Sequence, residues 1–196
     1  KKIEKLLTWC KEYDIEELTL YALSLENFDR PKKEFDYLMN LFKEEFNVFR
    51  NDKRWKDIKI NFVGRIQMFP EDVQKIMYDL MEQTKNNKKF ILNVAMAYSG
   101  RAEILDATKR IANLIENGKI TSRDINDKLF SENLYMSSEP DLIIRTSESR
   151  LSGFLLWQSA YAEIEFLPNK LWPEFSKKDF VKCMKGYANR DRRFGK

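Results

Sequence analysis

Histidine is missing from all 196 residues, which excludes a Ser-His-Asp triad and every metal site built on imidazole. Cysteine is nearly missing too. Cys10 and Cys183 are the only thiols, each in an apolar helical pattern, so a reducing compartment is expected and a disulfide framework is not. No apolar run approaches the length that spans a bilayer. The first residues lack the ordered charged, apolar and small-residue regions of a signal peptide, although the chain opens on Lys1 rather than Met and a targeting segment could precede it. Repeats, low-complexity tracts and linkers are absent as well, so residues 1–196 read as one domain.

Charge is balanced to a net +4, and the excess gathers in the closing stretch from Asn189 to Lys196. A basic tail can meet phosphate in nucleic acid, lipid or a substrate, and equally be a solvated end, so it discriminates poorly. The rest of the chain alternates between helical and strand periodicity. Leu18–Leu23, Ile58–Val63, Phe90–Met96, Asp141–Thr146 and a segment around Ile164–Phe166 read as short strands. Helical spacing runs from Lys1 to Tyr13, through Phe35–Phe46, after Pro70, over Ala102–Ile115 and from Lys177 to about Tyr187. This order predicts an α/β fold with a mostly parallel central sheet flanked by helices.

In such sheets ligands collect where the carboxyl ends of the strands emerge. Arg30, Arg65, Arg101 and Arg145 each follow one of the four longer strands, a recurrence that would make a positive funnel for an anion if they share one rim. The richest of these ends is DLIIRTSESRLSGFLLWQSAYAEIEF, Asp141–Phe166. Here Arg145, Arg150 and Ser152 can clamp a diphosphate with paired N–H donors, and Glu163 is a carboxylate that could hold Mg²⁺. The competing reading is a solvated loop whose arginines pair with Asp141, Glu148 and Glu163.

Taken as a whole, that string resembles the signature of the cis-prenyltransferases, the undecaprenyl and dehydrodolichyl diphosphate synthases. Two further segments are similar to family motifs. Leu20-Tyr21-Ala22-Leu23-Ser24-Leu25-Glu26-Asn27-Phe28-Asp29-Arg30-Pro31 matches the allylic-substrate loop, and Leu92–Arg101 matches Asn-Ile-Ala-x-x-Tyr-Gly-Gly-Arg with Ser99 in place of the first glycine. The endings Leu171–Phe175 and Arg192–Gly195 fit as well. The resemblance implies condensation of isopentenyl diphosphate with an allylic diphosphate such as farnesyl diphosphate, repeated to give a long cis-polyprenyl diphosphate. It places Ser24, Leu25, Glu26, Phe28 and Arg30 on the allylic substrate, with Asn27 positioning the reacting end. Arg145, Arg150, Leu151 and Ser152 fall on isopentenyl diphosphate and Glu163 on Mg²⁺. An amide such as Asn27 is a weak proton acceptor, so it is expected to orient rather than to act as a base.

The resemblance also implies a homodimer or heteromer that releases product at a membrane surface. The setting would be cytoplasmic, or the cytosolic face of the endoplasmic reticulum if Ser147 and Leu151 mark the dehydrodolichyl branch. A growing polyprenyl chain needs an apolar channel, for which Phe35, Leu38, Met39, Phe42, Ala22 and Phe90 are candidates, with Phe90 as its floor. Two departures stand out. The family's opening strand and its Asp-Gly-Asn loop, which carries the principal catalytic and metal-linked carboxylate, are not in this chain, and the resemblance implies that the chain as written is inactive. Arg145 and Arg150 also lie one residue closer than the motif has them, as though a Gly were absent between Ser147 and Glu148. A non-catalytic partner subunit is the alternative. A nucleic-acid module is not expected, because no binding motif is present and the arginines sit at strand ends.

Overall fold

The computed structural model describes residues 2–190. Its elements are α1 (Lys2–Glu12), β1 (Glu17–Ser24), α2 (Lys32–Asn51), β2 (Ile58–Val63), α3 (Glu71–Thr84), β3 (Phe90–Tyr98), α4 (Gly100–Glu116), α5 (Asp127–Glu132), β4 (Leu142–Thr146), β5 (Glu163–Leu167) and α6 (Lys177–Ala188). The basic residues 191–196 of the closing stretch, including Arg192–Gly195, lie outside the described residues.

Every strand pair is parallel, as βα alternation requires. The sheet nevertheless comes in two pieces, β1-β3-β2 and β4-β5. Between β1 and β4 runs a gap faced by Thr19 and Leu20 on one side and Ile143, Ile144 and Thr146 on the other, and hollows of about 540 and 700 Å³ open along it. Central β3 is buried along nearly its whole length, which is why Phe90–Tyr98 reads as an apolar run with no alternation. Its one polar interior residue, Asn93, is 2 % exposed and is satisfied by a rung across the sheet. Asn61 Nδ2 donates to Asn93 Oδ1 at 2.8 Å, and Asn93 Nδ2 donates to Thr19 Oγ1 at 3.1 Å and to Glu17.

Helices α2 and α3 cover one face of the larger sheet. Phe42 stacks on Phe46 at 5.8 Å, and Phe46 meets Phe62 of β2 edge-on at 4.9 Å, burial that contributes roughly 1.5–3 kcal/mol for each fully covered side chain. Pro70 sits just ahead of α3, where its missing N–H costs nothing. Gly64, at φ +129°, turns the chain out of β2 so close to β3 that a Cβ would stand 2.0 Å from the Met96 carbonyl oxygen. Cys10 and Cys183 are both buried and free, and burial pushes the Cys10 thiol up to about 12, so neither is set up as a nucleophile. No helix among the described residues is long and apolar enough to cross a membrane. Short helix α5 is absent from the sequence expectation, since six residues hold too few turns to show a period.

Candidate active site

A cleft of about 670 Å³ opens at the carboxyl ends of β1, β3 and β4. Its walls are Ser24, Glu26 and Asn27 from the turn after β1, Ser99 and Arg101 from the start of α4, and Arg145, Ser152, Gly153 and Leu156 from β4 and the segment after it. Three distant stretches of sequence meet here because three parallel strands end on one side.

The turn after β1 is a 3₁₀ helix, Leu25–Asp29, closed by the Asn27 carboxamide oxygen accepting from the Ser24 N–H at 3.1 Å. That bond commits the oxygen of Asn27 to backbone and fixes the direction of its amide, which suits orienting a ligand. The expected site residues of this turn then divide. Ser24, Glu26 and Asn27 line the cleft, whereas Leu25 packs into the hydrophobic core and Phe28 lies on Phe35 and Phe69 at 5.1 and 5.3 Å. Arg30 does not line the cleft. Its Nη1 donates to Glu34 at 2.5 Å, one turn along α2.

After β4 the chain folds tightly on itself. Ser147 takes φ +69° and donates its N–H to the carbonyls of Lys170 and Leu167 at 2.9 and 3.1 Å. The loop, one residue shorter than the motif, still brings both guanidiniums onto one carboxylate. Arg145 Nη2 and Arg150 Nη2 each donate to Glu148 at 2.6 Å, and Ser152 Oγ donates to the same carboxylate at 3.2 Å. Hydrogen bonding from Arg145, with Ser152 and the nearby Arg150 charge adding to it, holds the Glu148 carboxyl below the usual carboxylate range. Glu148 therefore stands where Arg145, Arg150 and Ser152 converge, the position an external anion would contest. Arg145 Nε is buried and without a partner among the described residues. Arg150 is 72 % exposed and, with Leu151, lies outside the cleft wall.

Glu163 is elsewhere. It opens β5 opposite Leu142, three rungs before the Arg145–Phe166 pair, or roughly 10 Å at the usual rise per strand residue. Arg190 donates to both Glu163 and Glu165. No group of three potential metal-binding side chains occurs among the described residues. Glu163 is thus paired with Arg190 and, like Arg30, does not line the cleft. Arg65 is also withdrawn from the funnel, since its guanidinium is held bidentately by Asp106 at 2.9 and 3.0 Å.

Arg101 is different. It lines the cleft, is exposed, and has no ionic partner among the described residues. As the second residue of α4 it places a cation at the positive end of a helix dipole, an arrangement that an anion in the cleft would relieve. Tyr21, stacked on Phe154 at 4.9 Å, completes the inner wall.

Behind Tyr21, Ala22 and Arg145, which face both spaces, lies an apolar channel of about 700 Å³. Leu41, Phe42, Phe46 and Phe49 of α2 form one side, and Ile60, Phe62, Leu92 and Val94 of the sheet form the other. Trp55, stacked on Phe49 at 6.0 Å, lies at its edge under Lys11 and Arg54. Of the candidate channel residues, Ala22 and Phe42 line it. Phe35, Leu38 and Met39 pack in the core, and Phe90, 3 % exposed, is also core rather than lining.

A polar cleft with arginines at strand ends thus adjoins an apolar channel. The family model described as "Putative undecaprenyl diphosphate synthase" matches residues 1–195. The chain belongs to the undecaprenyl diphosphate synthase family of prenyltransferases. It is 42 % identical over 203 residues to a tritrans,polycis-undecaprenyl-diphosphate synthase (geranylgeranyl-diphosphate specific) of Methanocaldococcus jannaschii, with all of this chain and 72 % of that protein covered. Identity to the enzyme of the same name from Thermoplasma volcanium is 44 % over 200 residues, covering all of this chain and 77 % of that one. Two solved family structures superpose on all of this chain. A probable undecaprenyl diphosphate synthase from Campylobacter jejuni does so with TM-score 0.87 at 33 % identity over 90 % of its length. Lavandulyl diphosphate synthase from Lavandula x intermedia, in complex with dimethylallyl diphosphate, does so with TM-score 0.91 at 32 % identity over 85 %. The first-named relatives are archaeal, so the lean toward a dehydrodolichyl enzyme from Ser147 and Leu151 gains no support from them.

Proposed function

We propose that this family member condenses isopentenyl diphosphate with an allylic diphosphate, repeatedly, to build a long cis-polyprenyl diphosphate. The observation that carries this is the continuity of the cleft with the channel at Tyr21, Ala22 and Arg145, which gives one ligand a place for an anionic head and a place for an apolar tail. In each cycle the double bond of isopentenyl diphosphate attacks the first carbon of the allylic partner. A carbon–carbon bond forms, the carbon–oxygen bond to diphosphate breaks with its electron pair leaving on diphosphate, and a proton is lost from isopentenyl C2 to make the new double bond.

In this reading Arg145, Ser152 and Arg101 bind diphosphate oxygens through charge-assisted hydrogen bonds, displacing Glu148. Ser24 and Glu26 line the allylic side, and Asn27 orients the reacting end. The channel walls keep water from an electron-poor allylic carbon. The relatives' specificity for geranylgeranyl diphosphate favours a donor of that size over farnesyl diphosphate. The lavandulyl synthase shares the fold, so the channel rather than the fold argues for elongation. A homodimer that passes its product to a membrane surface belongs to the same proposal. Mg²⁺ dependence is part of it.

Turnover is measured on the purified protein with both substrates supplied. Radiolabelled isopentenyl diphosphate should be incorporated into long butanol-soluble products when geranylgeranyl diphosphate is supplied, with a higher kcat/KM than for farnesyl diphosphate. Products of a single condensation only would overturn the elongating reading.

A further inference from the structure

Glu103 is 1 % exposed in the first turn of α4, and among the described residues no lysine or arginine pairs with it. Four donors converge on it instead. Oε1 accepts from the Tyr135 N–H at 2.9 Å, the Gln158 amide at 3.1 Å and the Met136 N–H at 3.4 Å, while Oε2 accepts from the Tyr98 hydroxyl. Each of these groups can donate, and carboxylate oxygens accept. The effect shows on Tyr98, whose hydroxyl is pushed up by burial and by the neighbouring Glu103 charge. Gln158 is equally buried, and its amide also donates to the Met136 carbonyl at 2.9 Å.

Between Gln158 and the cleft the backbone is strained. Ser152, Gly153 and Leu155 take φ of +50°, +78° and +45°, a region that side chains resist and that persists only where surroundings over-determine it. Of these three, Ser152 and Gly153 face the cleft. Two ties hold the segment to α4. The Gly100 N–H donates to the Gly153 carbonyl at 2.7 Å, an approach so close that a Cβ on Gly100 would stand 2.6 Å from that oxygen. The second tie is Gln158 on Glu103.

We infer that Glu103 is a positioning residue which, through Gln158, fixes the strained Ser152–Leu155 segment in the shape that presents Ser152 to the cleft. A carboxylate suits this task because it is acceptor-only and can take donors from the end of β3, the 135–136 strand of loop and the Gln158 side chain at once. The consequence for ligand binding rests on the diphosphate reading above; the consequence for the order of the loop does not.

The test is Gln158→Met, with Ile111→Ala on the buried face of α4 as a control for general destabilisation. Hydrogen exchange of the amides from Gly153 to Leu155 and calorimetric binding of inorganic pyrophosphate are measured for each. Gln158→Met should speed that exchange and weaken pyrophosphate binding, each by about tenfold. Ile111→Ala should lower the melting temperature without a selective effect on either. Equal changes in both variants, or unchanged loop exchange in Gln158→Met, would overturn the inference. If Gln158→Met does not fold, Glu103→Gln keeps the shape while replacing one acceptor by a donor, and unchanged exchange there overturns it as well. Absence of pyrophosphate binding by the unaltered protein would count against the diphosphate reading, while the exchange measurement still decides the role of Glu103.

Discussion

The Glu148 carboxylate lies 2.6 Å from the Arg145 guanidinium, so the protein's own anion occupies the place where the proposed substrate anion binds. Arg145 is thereby held in place before ligand arrives, and the ligand exchanges one charge-assisted bond for others. Truncation to Arg145→Ala removes bonds to a charged group, each of which contributes about 1.5–3 kcal/mol. The Michaelis constant for isopentenyl diphosphate should then rise by roughly 10- to 100-fold. Arg145→Lys should recover little of this, because an ammonium lacks the planar fork. Steady-state kinetics varying each substrate separately checks it, and an unchanged constant for isopentenyl diphosphate rejects the role.

Arg101 leads to a prediction in which stability and binding part company. Its charge opposes the dipole of α4 without a partnering carboxylate among the described residues. Arg101→Ala should leave thermal stability equal or raise it by about 0.3–1 kcal/mol, the usual size of a charge at a helix end, while pyrophosphate binding weakens. Parallel loss of both, seen by calorimetry and thermal melts, would make Arg101 structural instead.

Much of this was readable from the chain because parallel strands covered on both faces leave continuous apolar runs, β3 above all, and because three motifs fall at the ends of such runs. Side-chain direction was not readable. Leu25 and Phe28 stand beside Glu26 and Asn27 in sequence, yet a 3₁₀ turn sends neighbours to different sides, so two face the core and two the cleft. Glu163 is a case where local order held the answer: it precedes the Ile164–Phe166 run, so in a strand parallel to β4 it must lie at the amino end, away from Arg145. The burial of Glu103 had no local signal, since an acidic residue in the first helical turn ordinarily faces solvent.

Asp179 ties α6 to the chain before it. Its carboxylate accepts from the Ser176 hydroxyl and N–H at 2.6 and 2.8 Å and from Lys170 at 3.0 Å, and these bonds, that to the Ser176 hydroxyl first, hold it down to about 2 from 3.8. A carboxylate with a depressed folded value stabilises fully above its unfolded value and loses that contribution as pH falls through the folded one. The stabilisation is therefore present above pH 3.8 and lost toward pH 2. Asp179→Asn should flatten the pH dependence of the urea midpoint in that window and lower the midpoint at neutral pH. An acid limb as steep as that of the unaltered protein would show that other carboxylates carry it.

Product length should answer to Trp55 before Phe90. Trp55 lines the channel, stacked on Phe49 at 6.0 Å and covered by the Arg54 guanidinium at 5.2 Å from its ring centre, with Arg54 in turn held by Asp52 and Glu4. Trp55, 6 % exposed, and Phe90, 3 % exposed, both belong to the buried core, but of the two only Trp55 lines the channel. Trp55→Ala opens space at the channel edge, so chromatography of the polyprenyl products should show a shift to longer chains. Phe90→Ala should chiefly destabilise, by about 3–5 kcal/mol as for a large ring removed from a packed core. The reverse pattern, longer products from Phe90→Ala and an unaltered distribution from Trp55→Ala, would move the floor of the channel back to the start of β3, because only a side chain that meets the growing tail can set where growth stops.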